Sequence, residues 1–368
     1  MQTHWQRKPL LVRGAFDLPT PPLDKHELAG LACEEAVDSR IVQECHPDGP
    51  WKLDYGPFDE AFFANLPESH WTLLVGDCEK HLPELRTLVD PFRFIADWRI
   101  DDLMISYAAD QGSVGPHTDD YDVFLIQLEG EREWRISEQV DHDAIIEGID
   151  LRILERFEAE HVWRLRPGDM LYLPPRVAHF GIARGECMTA SVGFRAPSHR
   201  EILQAYLDEV VLRIPDDLRY GDAGAPALEH PGEITAESIA RIRRIIDDHL
   251  RLDNHAFTQW LGRFLTEPKS EEISPPEATD PDATAFAARL DTGWRLRRNP
   301  HSRFAWTDGE GGMTLFVDQH SWTLPASLRD DILRLTDRDH WRGDEFSPAF
   351  HELLHQLYRL EALLDDDG

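Results

Sequence analysis

The chain has 368 residues, 41% hydrophobic and 10% aromatic, enough for a sizeable core in more than one domain and too apolar for disorder. No run reaches the ~18–20 apolar residues of a membrane span, and the start, "MQTHWQRKPLLVRGAF", lacks the apolar core and small-residue cleavage site of a signal peptide. With 69 acidic against 38 basic residues, formally −31, the surface repels phosphates, which disfavours direct nucleic-acid binding, and attracts basic partners; a salty habitat selects the same excess of carboxylates, and the two readings are compatible.

In chain order, "PLDKHELAGLACEEAV" has helical periodicity with Leu28, Leu31 and Ala32 on one face, and "WKLDYGPF" and "HWTLLVGD" read as strands. Four scattered cysteines, Cys33, Cys45, Cys78 and Cys187, show no CxxC spacing. That suits a reduced, cytoplasmic interior and offers no zinc motif. From Trp98 to Ala196 the pattern turns to β. "DDLMISYAA", "DVFLIQLEG", "REWRIS", "HVWRLRPGD", "MLYLPP" and "MTASVGFRAP" are short runs of branched and aromatic residues, most ending at Gly, Pro or Asp. Many short strands with turn signals predict a closed or double-sheet β core.

After about residue 198 the chain becomes helical: "HREILQAYLDEVVLRI", "ESIARIRRIIDDHLRL" and "HAFTQWLGRFL" carry apolar stripes. These can pack on the β core or form a subunit interface. The Pro-rich, charged "TEPKSEEISPPEATDPDA" at 266–283 is the linker candidate. Beyond it, "FAARL", "GWRLRR", "FAWTD", "GMTLFVDQHSWTL" and two final helices form a small α+β module. No solenoid repeat is present.

One stretch carries chemistry. In "GPHTDDYDVFLIQLEGEREW", His117 and Asp119 are two apart, so in an extended segment both side chains point the same way. Downstream, "GDMLYLPPRVAHFG" supplies His179. Two imidazoles and a carboxylate on one octahedral face leave three positions open, the arrangement of non-haem Fe(II) oxygenases. The plainer alternative makes His117 and Asp119 turn residues and His179 a core histidine. Asp120 points the other way if the segment is extended, whereas Asp122 is a rival for the carboxylate role. An Fe(II) oxygenase draws two electrons from a co-substrate, commonly 2-oxoglutarate, whose far carboxylate needs a fixed cation. Arg132, across a turn from the metal pair, is the candidate; Arg135 competes for the role, and a surface ion pair with a nearby Glu is the alternative for Arg132.

The segments "RIDDLMISYA…GSVGPHTDDYDVFLIQLEGEREWRI", "LRPGDMLYLPPRVAHFGIA" and "SVGFRAPSHREIL" resemble the bacterial ribosomal oxygenases of the JmjC/cupin class. These are 2-oxoglutarate-dependent arginine hydroxylases of large-subunit ribosomal protein sixteen. The resemblance covers essentially the first 265 residues and continues in layout to the end. It implies an α+β chain with a double-stranded β-helix (JmjC/cupin jelly-roll) core, a helical dimerisation region and a C-terminal winged-helix-like domain. The implied division is 1–200 for the catalytic domain with its N-terminal extension (barrel core about 98–196), 201–266 for the dimerisation helices, 267–283 for the linker and 284–368 for the C-terminal domain.

Carried over by position, the resemblance makes His117, Asp119 and His179 the iron ligands and Arg132 the 2-oxoglutarate anchor. Ser106 lies where the family contacts substrate or co-substrate. Glu131, just before the anchor, is a departure that makes the approach more acidic. The implied cofactors are Fe(II), 2-oxoglutarate and O2; the implied partners are a basic large-subunit ribosomal protein and a second copy of the chain, without nucleic acid or membrane. Tyr107 and Tyr121 are candidates for an aromatic entrance, with core packing as their other role. Acidic residues outnumber basic ones after Ala283, so a protein-contact or structural role fits the C-terminal domain better than DNA binding, and "RLRR" (295–298) reads as a solvated strand end. Two other functions stay open: the same iron chemistry on another residue (histidyl hydroxylation or lysine demethylation), and a non-enzymatic cupin-type metal-binding module.

Overall fold

The computed structural model describes residues 3–18, 20–44, 51–139, 141–142, 144–148, 150–269, 282–309 and 311–366. Cys45 and most of the predicted linker, 270–281, lie outside the described residues. The chain divides into two compact units, Met1–Ala196 and Pro197–Gly368. No helix among the described residues is long and apolar enough to cross a membrane.

The first unit is a β structure. Its strands are β1 (Leu10–Val12), β2 (Ser39–Glu44), β3 (Trp51–Tyr55), β4 (Trp71–Val75), β5 (Ile100–Ala108), β6 (Val123–Ser137), β7 (His161–Leu165), β8 (Met170–Leu173) and β9 (Ala178–Phe194). Among the described residues they form one sheet in the order β1-β8-β6-β9-β5-β4-β2-β3, with β7 also on β6. Helix α1 (Lys25–Leu31) starts at Asp24, whose carboxylate accepts from the amides of His26 and Glu27 while Glu27 reaches back to the Asp24 amide, a reciprocal capping box. Leu28 and Ala32 are buried as the apolar face requires. The core runs from this helix through Ile41, Leu73 and Ile105 to Phe92, Phe124, Tyr172 and Phe194.

Two strands are longer than the sequence pattern indicates. "DVFLIQLEG" and "REWRIS" are one strand, β6, with no turn between them. Register shifts at Gln127/Glu129 and Glu129/Glu131 mark a bulge against β9. Gly130 sits there with φ +65, and a Cβ on it would lie 2.1 Å from the Glu186 carbonyl oxygen. The glycine that looks like a strand end is what lets the strand continue. Likewise "MTASVGFRAP" is only the second half of β9.

The second unit begins with α2 (His199–Leu212), α3 (Ala236–His249) and α4 (Asn254–Leu265), each entered through a Ser198, Thr235 or Asp253 cap. It continues with α5 (Ala283–Asp291), β10 (Arg295–Arg298), β11 (Phe304–Gly309), β12 (Gly312–Val317), β13 (His320–Leu324), α6 (Arg329–Asp337), β14 (His340–Arg342), α7 (His351–Arg359) and β15 (Leu363–Asp365). The strands form two three-stranded sheets, β14-β10-β15 and β11-β12-β13. "GMTLFVDQHSWTL" is a hairpin rather than one strand, turning at Asp318 and Gln319 with φ +45 and +68. Helix α4 packs on the second sheet at Gly262, where a Cβ would lie 2.3 Å from the Phe316 ring.

The stripe predicted on α3 is real but solvent-facing. Ile239, Ile242 and Ile246 are 49%, 51% and 53% exposed. "RLRR" is not simply a solvated end either: Arg298 is buried and donates to the carbonyls of Leu335, Thr336 and Arg338.

Candidate active site

His117, Asp119 and His179 meet at one end of the β6–β9 pair. His117 and His179 form an isolated antiparallel bridge, with His117 N donating to His179 O at 3.0 Å and His179 N donating to His117 O at 2.9 Å. Their rings lie 4.2 Å apart at 60°. Each Nδ1 faces a carbonyl two residues back, that of Gly115 at 3.0 Å and that of Val177 at 3.0 Å. A carbonyl only accepts, so each Nδ1 carries the proton and each Nε2 keeps its lone pair for a metal. Burial, with the second imidazole alongside, lowers the His179 pKa to about 4, so this ring is neutral at neutral pH. Asp119 Oδ2 lies 3.6 Å from His179 Nε2. One donor atom from each of the three residues lies within 4.8 Å of the others, a compact nitrogen–oxygen set that fits one octahedral divalent ion.

The three residues that the sequence pattern singles out are brought together. Beyond the bridge at His117 the segment is not a strand, and simple alternation does not aim Asp119. Its backbone is held instead by Arg176 N donating to Asp119 O at 2.6 Å. The rival Asp122 does not face the metal residues: it is 0% exposed and its carboxylate is taken up by Gln6, Arg99 and Tyr172. Asp120 is exposed.

Arg132 lies on β6, 3% exposed. Its Nη1 donates to Ser106 Oγ at 3.1 Å and to Thr189 Oγ1 at 3.4 Å, and its guanidinium carbon lies 5.2 Å from the Trp134 ring centre. Its Nε has no acceptor among the described residues. Burial pulls its pKa below the usual guanidinium value. A buried cation answered only by hydroxyls and a ring face is costly, and an anion in the cavity would offset that cost. The alternative of a surface ion pair is therefore not what the fold builds. Nearby carboxylates belong to other arginines: Glu133 accepts from Arg135 and Arg184, and Glu131 from Arg166. So Arg135 is engaged by Glu133 and is not among the cavity's lining residues, and Glu131 is drawn to Arg166. Gly181 keeps the space beside the anchor open, since a Cβ there would lie 2.7 Å from the Trp134 ring and 3.0 Å from Arg132 Nε.

Ser106, on β5, donates to Thr189 O at 3.3 Å as well as accepting from Arg132. It touches the anchor directly. His117, Asp119, His179, Arg132 and Ser106 all line one cavity of about 260 Å³. Among the lining residues that escaped the sequence reading are Arg40, Asp102, Trp134, Arg152 and Thr189. Asp102 was findable, because it lies two residues before Met104 and four before Ser106, on the same face of the strand. Tyr121 lines the cavity; Tyr107 does not, being packed on Trp71 at 5.4 Å with Lys25 Nζ 5.7 Å from its ring centre.

A His-x-Asp and a distant His on a β-helix core, with a buried arginine deeper in the same cavity, define the class of Fe(II)- and 2-oxoglutarate-dependent oxygenases. Comparison with known proteins agrees. The JmjC domain family matches residues 87–202, and the ROXA-like winged helix matches residues 247–364. Ribosomal protein uL16 3-hydroxylase of Escherichia coli is 39% identical over 278 residues, covering 75% of this chain and 73% of the relative. Two structures of YcfD, a ribosomal oxygenase from Escherichia coli, superpose over the whole length. The complex with cobalt and 2-oxoglutarate has a TM-score of 0.83, and that with cobalt and succinic acid has 0.84. Each is 32% identical, covering 100% of this chain and 97% of the other. The chain belongs to the ribosomal oxygenase family, with a JmjC/cupin core and a C-terminal winged helix.

Proposed function

We propose that the chain is a cytoplasmic Fe(II)- and 2-oxoglutarate-dependent hydroxylase acting on an arginine side chain of a large-subunit ribosomal protein. The observation that carries the oxygenase reading is Arg132: a buried guanidinium with no carboxylate partner among the described residues, in the same cavity as a preset His/Asp/His donor set. Relatives with cobalt and 2-oxoglutarate, or cobalt and succinic acid, support it, because cobalt is a divalent ion served by the same nitrogen and oxygen donors.

In this reading Nε2 of His117, Nε2 of His179 and the Asp119 carboxylate hold the iron. Arg132 binds the far carboxylate of 2-oxoglutarate, and Ser106 orients the guanidinium. Bound iron, co-substrate and O2 together supply the oxidising power, with succinate and CO2 leaving and one oxygen atom entering a substrate C–H bond. The protein positions the target and limits water. A cationic target suits a cavity whose wall includes Asp102 and Tyr121, and the charge of −31 draws a basic ribosomal protein toward the molecule. Residues 201–266 form the dimerisation region, 267–283 the linker, and 284–368 a domain for protein contact rather than nucleic acid.

Incubation of the purified ribosomal protein with enzyme, Fe(II), 2-oxoglutarate and O2, followed by peptide mass spectrometry, tests the proposal. A +16 shift mapped to arginine, with succinate formed in step, is the expected result. A shift on histidine or loss of a lysine methyl group would overturn the arginine assignment; no succinate and no shift would sink the enzyme reading.

A further inference from the structure

The mechanism leaves one buried polar cluster unused, and it lies three residues beyond the metal ligand Asp119. Asp122 is 0% exposed. Its Oδ1 accepts from the Tyr172 hydroxyl at 2.6 Å, and its Oδ2 from Gln6 Nε2 at 2.9 Å and Arg99 Nη2 at 3.3 Å. Its carbonyl accepts from Phe194 N at 3.1 Å, the last residue of β9. The carboxylate therefore ties the end of the metal-bearing loop to β8, to the start of β5 and to the N-terminal segment.

The N-terminal part of this device comes from 116 residues away in sequence. Trp5 stacks on Tyr172 at 5.6 Å and on Phe124 at 6.2 Å, and meets Phe194 edge-on at 5.6 Å. Gln6, itself exposed, has φ +54 and donates its backbone N–H to the Tyr172 hydroxyl at 2.7 Å and its side-chain Nε2 to Asp122. A left-handed backbone is uncommon in a residue that is not glycine, asparagine or aspartate, and surrounding contacts must hold it. Here they hold both donors on one carboxylate–hydroxyl pair.

Between the His117 bridge and β6, Tyr121 hydrogen-bonds the Asp119 side chain, and the backbone is tied at two points among the described residues. Arg176 N holds Asp119 O, and Asp122 is the next fixed point. We propose that Asp122, held by Gln6, Arg99 and Tyr172, is a positioning residue for the metal site, and that the N-terminal segment is part of the machinery that aims Asp119. Groups hydrogen-bonded directly to a metal ligand change metal affinity by about 10–100-fold when removed; Asp122 acts through the three-residue backbone link to Asp119, so the low end of that range applies. The inference rests on the metal reading above.

Co2+ titration of the metal-free full chain, followed by its visible d–d absorption, tests both separately. Wild type binds Co2+ and Asp119→Ala does not; if wild type fails to bind, the metal reading itself fails. Gln6→Met removes the side-chain donor at nearly constant size, and Tyr172→Phe removes the hydroxyl while keeping the ring under Trp5. With the metal reading upheld, the expected result is about tenfold weaker Co2+ binding in either variant, with an altered band and near-UV circular dichroism that shows a fully folded chain. Unchanged Co2+ affinity in both variants, or a loss only in proportion to the unfolded fraction, would overturn the inference.

Discussion

His179 Nε2 and Asp119 Oδ2 lie 3.6 Å apart, with the Nδ1 of His179 already committed to the Val177 carbonyl. The imidazole is thus set in the tautomer and orientation that a metal needs, by backbone contacts alone.

Removing either ligand should therefore spare the fold. His179→Ala and Asp119→Ala are expected to lose turnover by on the order of a thousandfold or more and to lose Co2+ binding, with far-UV circular dichroism unchanged. Activity retained in either variant would move the ligand assignment elsewhere.

Arg132 combines a cost in the free chain with a gain in the complex. Arg132→Met removes a buried, incompletely paired cation, so the co-substrate-free protein should unfold at an equal or higher temperature than wild type. Its affinity for 2-oxoglutarate should fall by about 2–4 kcal/mol, on the order of a hundredfold. Added 2-oxoglutarate with Co2+ should raise the melting temperature of wild type much more than that of the variant. Ser106→Ala should show a milder loss of about fivefold, the scale of one hydrogen bond. Calorimetric titration separates the two; equal 2-oxoglutarate affinity in Arg132→Met would refute the anchor.

Glu79 predicts a pH dependence outside the site. It lies on the one-turn helix Cys78–His81, is buried, and accepts from Leu103 N at 2.9 Å. Burial raises its pKa from 4.5 to about 7. The folded chain therefore holds this proton more tightly than the unfolded one. The associated stability is full below pH 4.5 and is lost as pH rises through about 7. Glu79→Gln keeps an acceptor for Leu103 and carries no charge, so its stability relative to wild type should grow across this window by up to roughly 3 kcal/mol. Urea denaturation at both ends of the window measures it; a pH-independent difference would contradict the assignment.

The exposed stripe on α3 should be an interface between two copies. Ile242→Asp with Ile246→Asp places two charges on it and is expected to convert a dimer to a monomer in light scattering at micromolar concentration. A wild-type chain that is already monomeric there would refute the dimerisation region.

The convergence of His117, Asp119 and His179 was legible because a short His-x-Asp spacing and a later histidine behind a Pro-Pro stop survive as local patterns. What aims them was not legible, since the bridge between His117 and His179 spans 62 positions. The length of β6 was hidden by Gly130, a residue that reads as a break yet serves a bulge. Arg132 could be named as a candidate, but its burial depends on which face of β6 turns inward and on Glu131 and Glu133 being drawn to other arginines. Asp122 looked like a rival ligand because nothing nearby in sequence announces Gln6 as its partner. The helical stripe on α3 was plain from periodicity, whereas its solvent exposure follows only from the packed structure.

The regular pairing of β6 with β9 beyond the Gly130 bulge has one more consequence. His179 stands opposite Ile136 and Arg132 opposite Ala183, so metal ligand and guanidinium are spaced by four residues of one continuous ladder with no hinge between them. In the proposed reaction the pair acts as a fixed caliper: it measures the carbon chain between the two acidic ends of the co-substrate. A keto-diacid one carbon shorter then leaves a gap, and one a carbon longer has to buckle, since neither jaw can move without breaking the ladder.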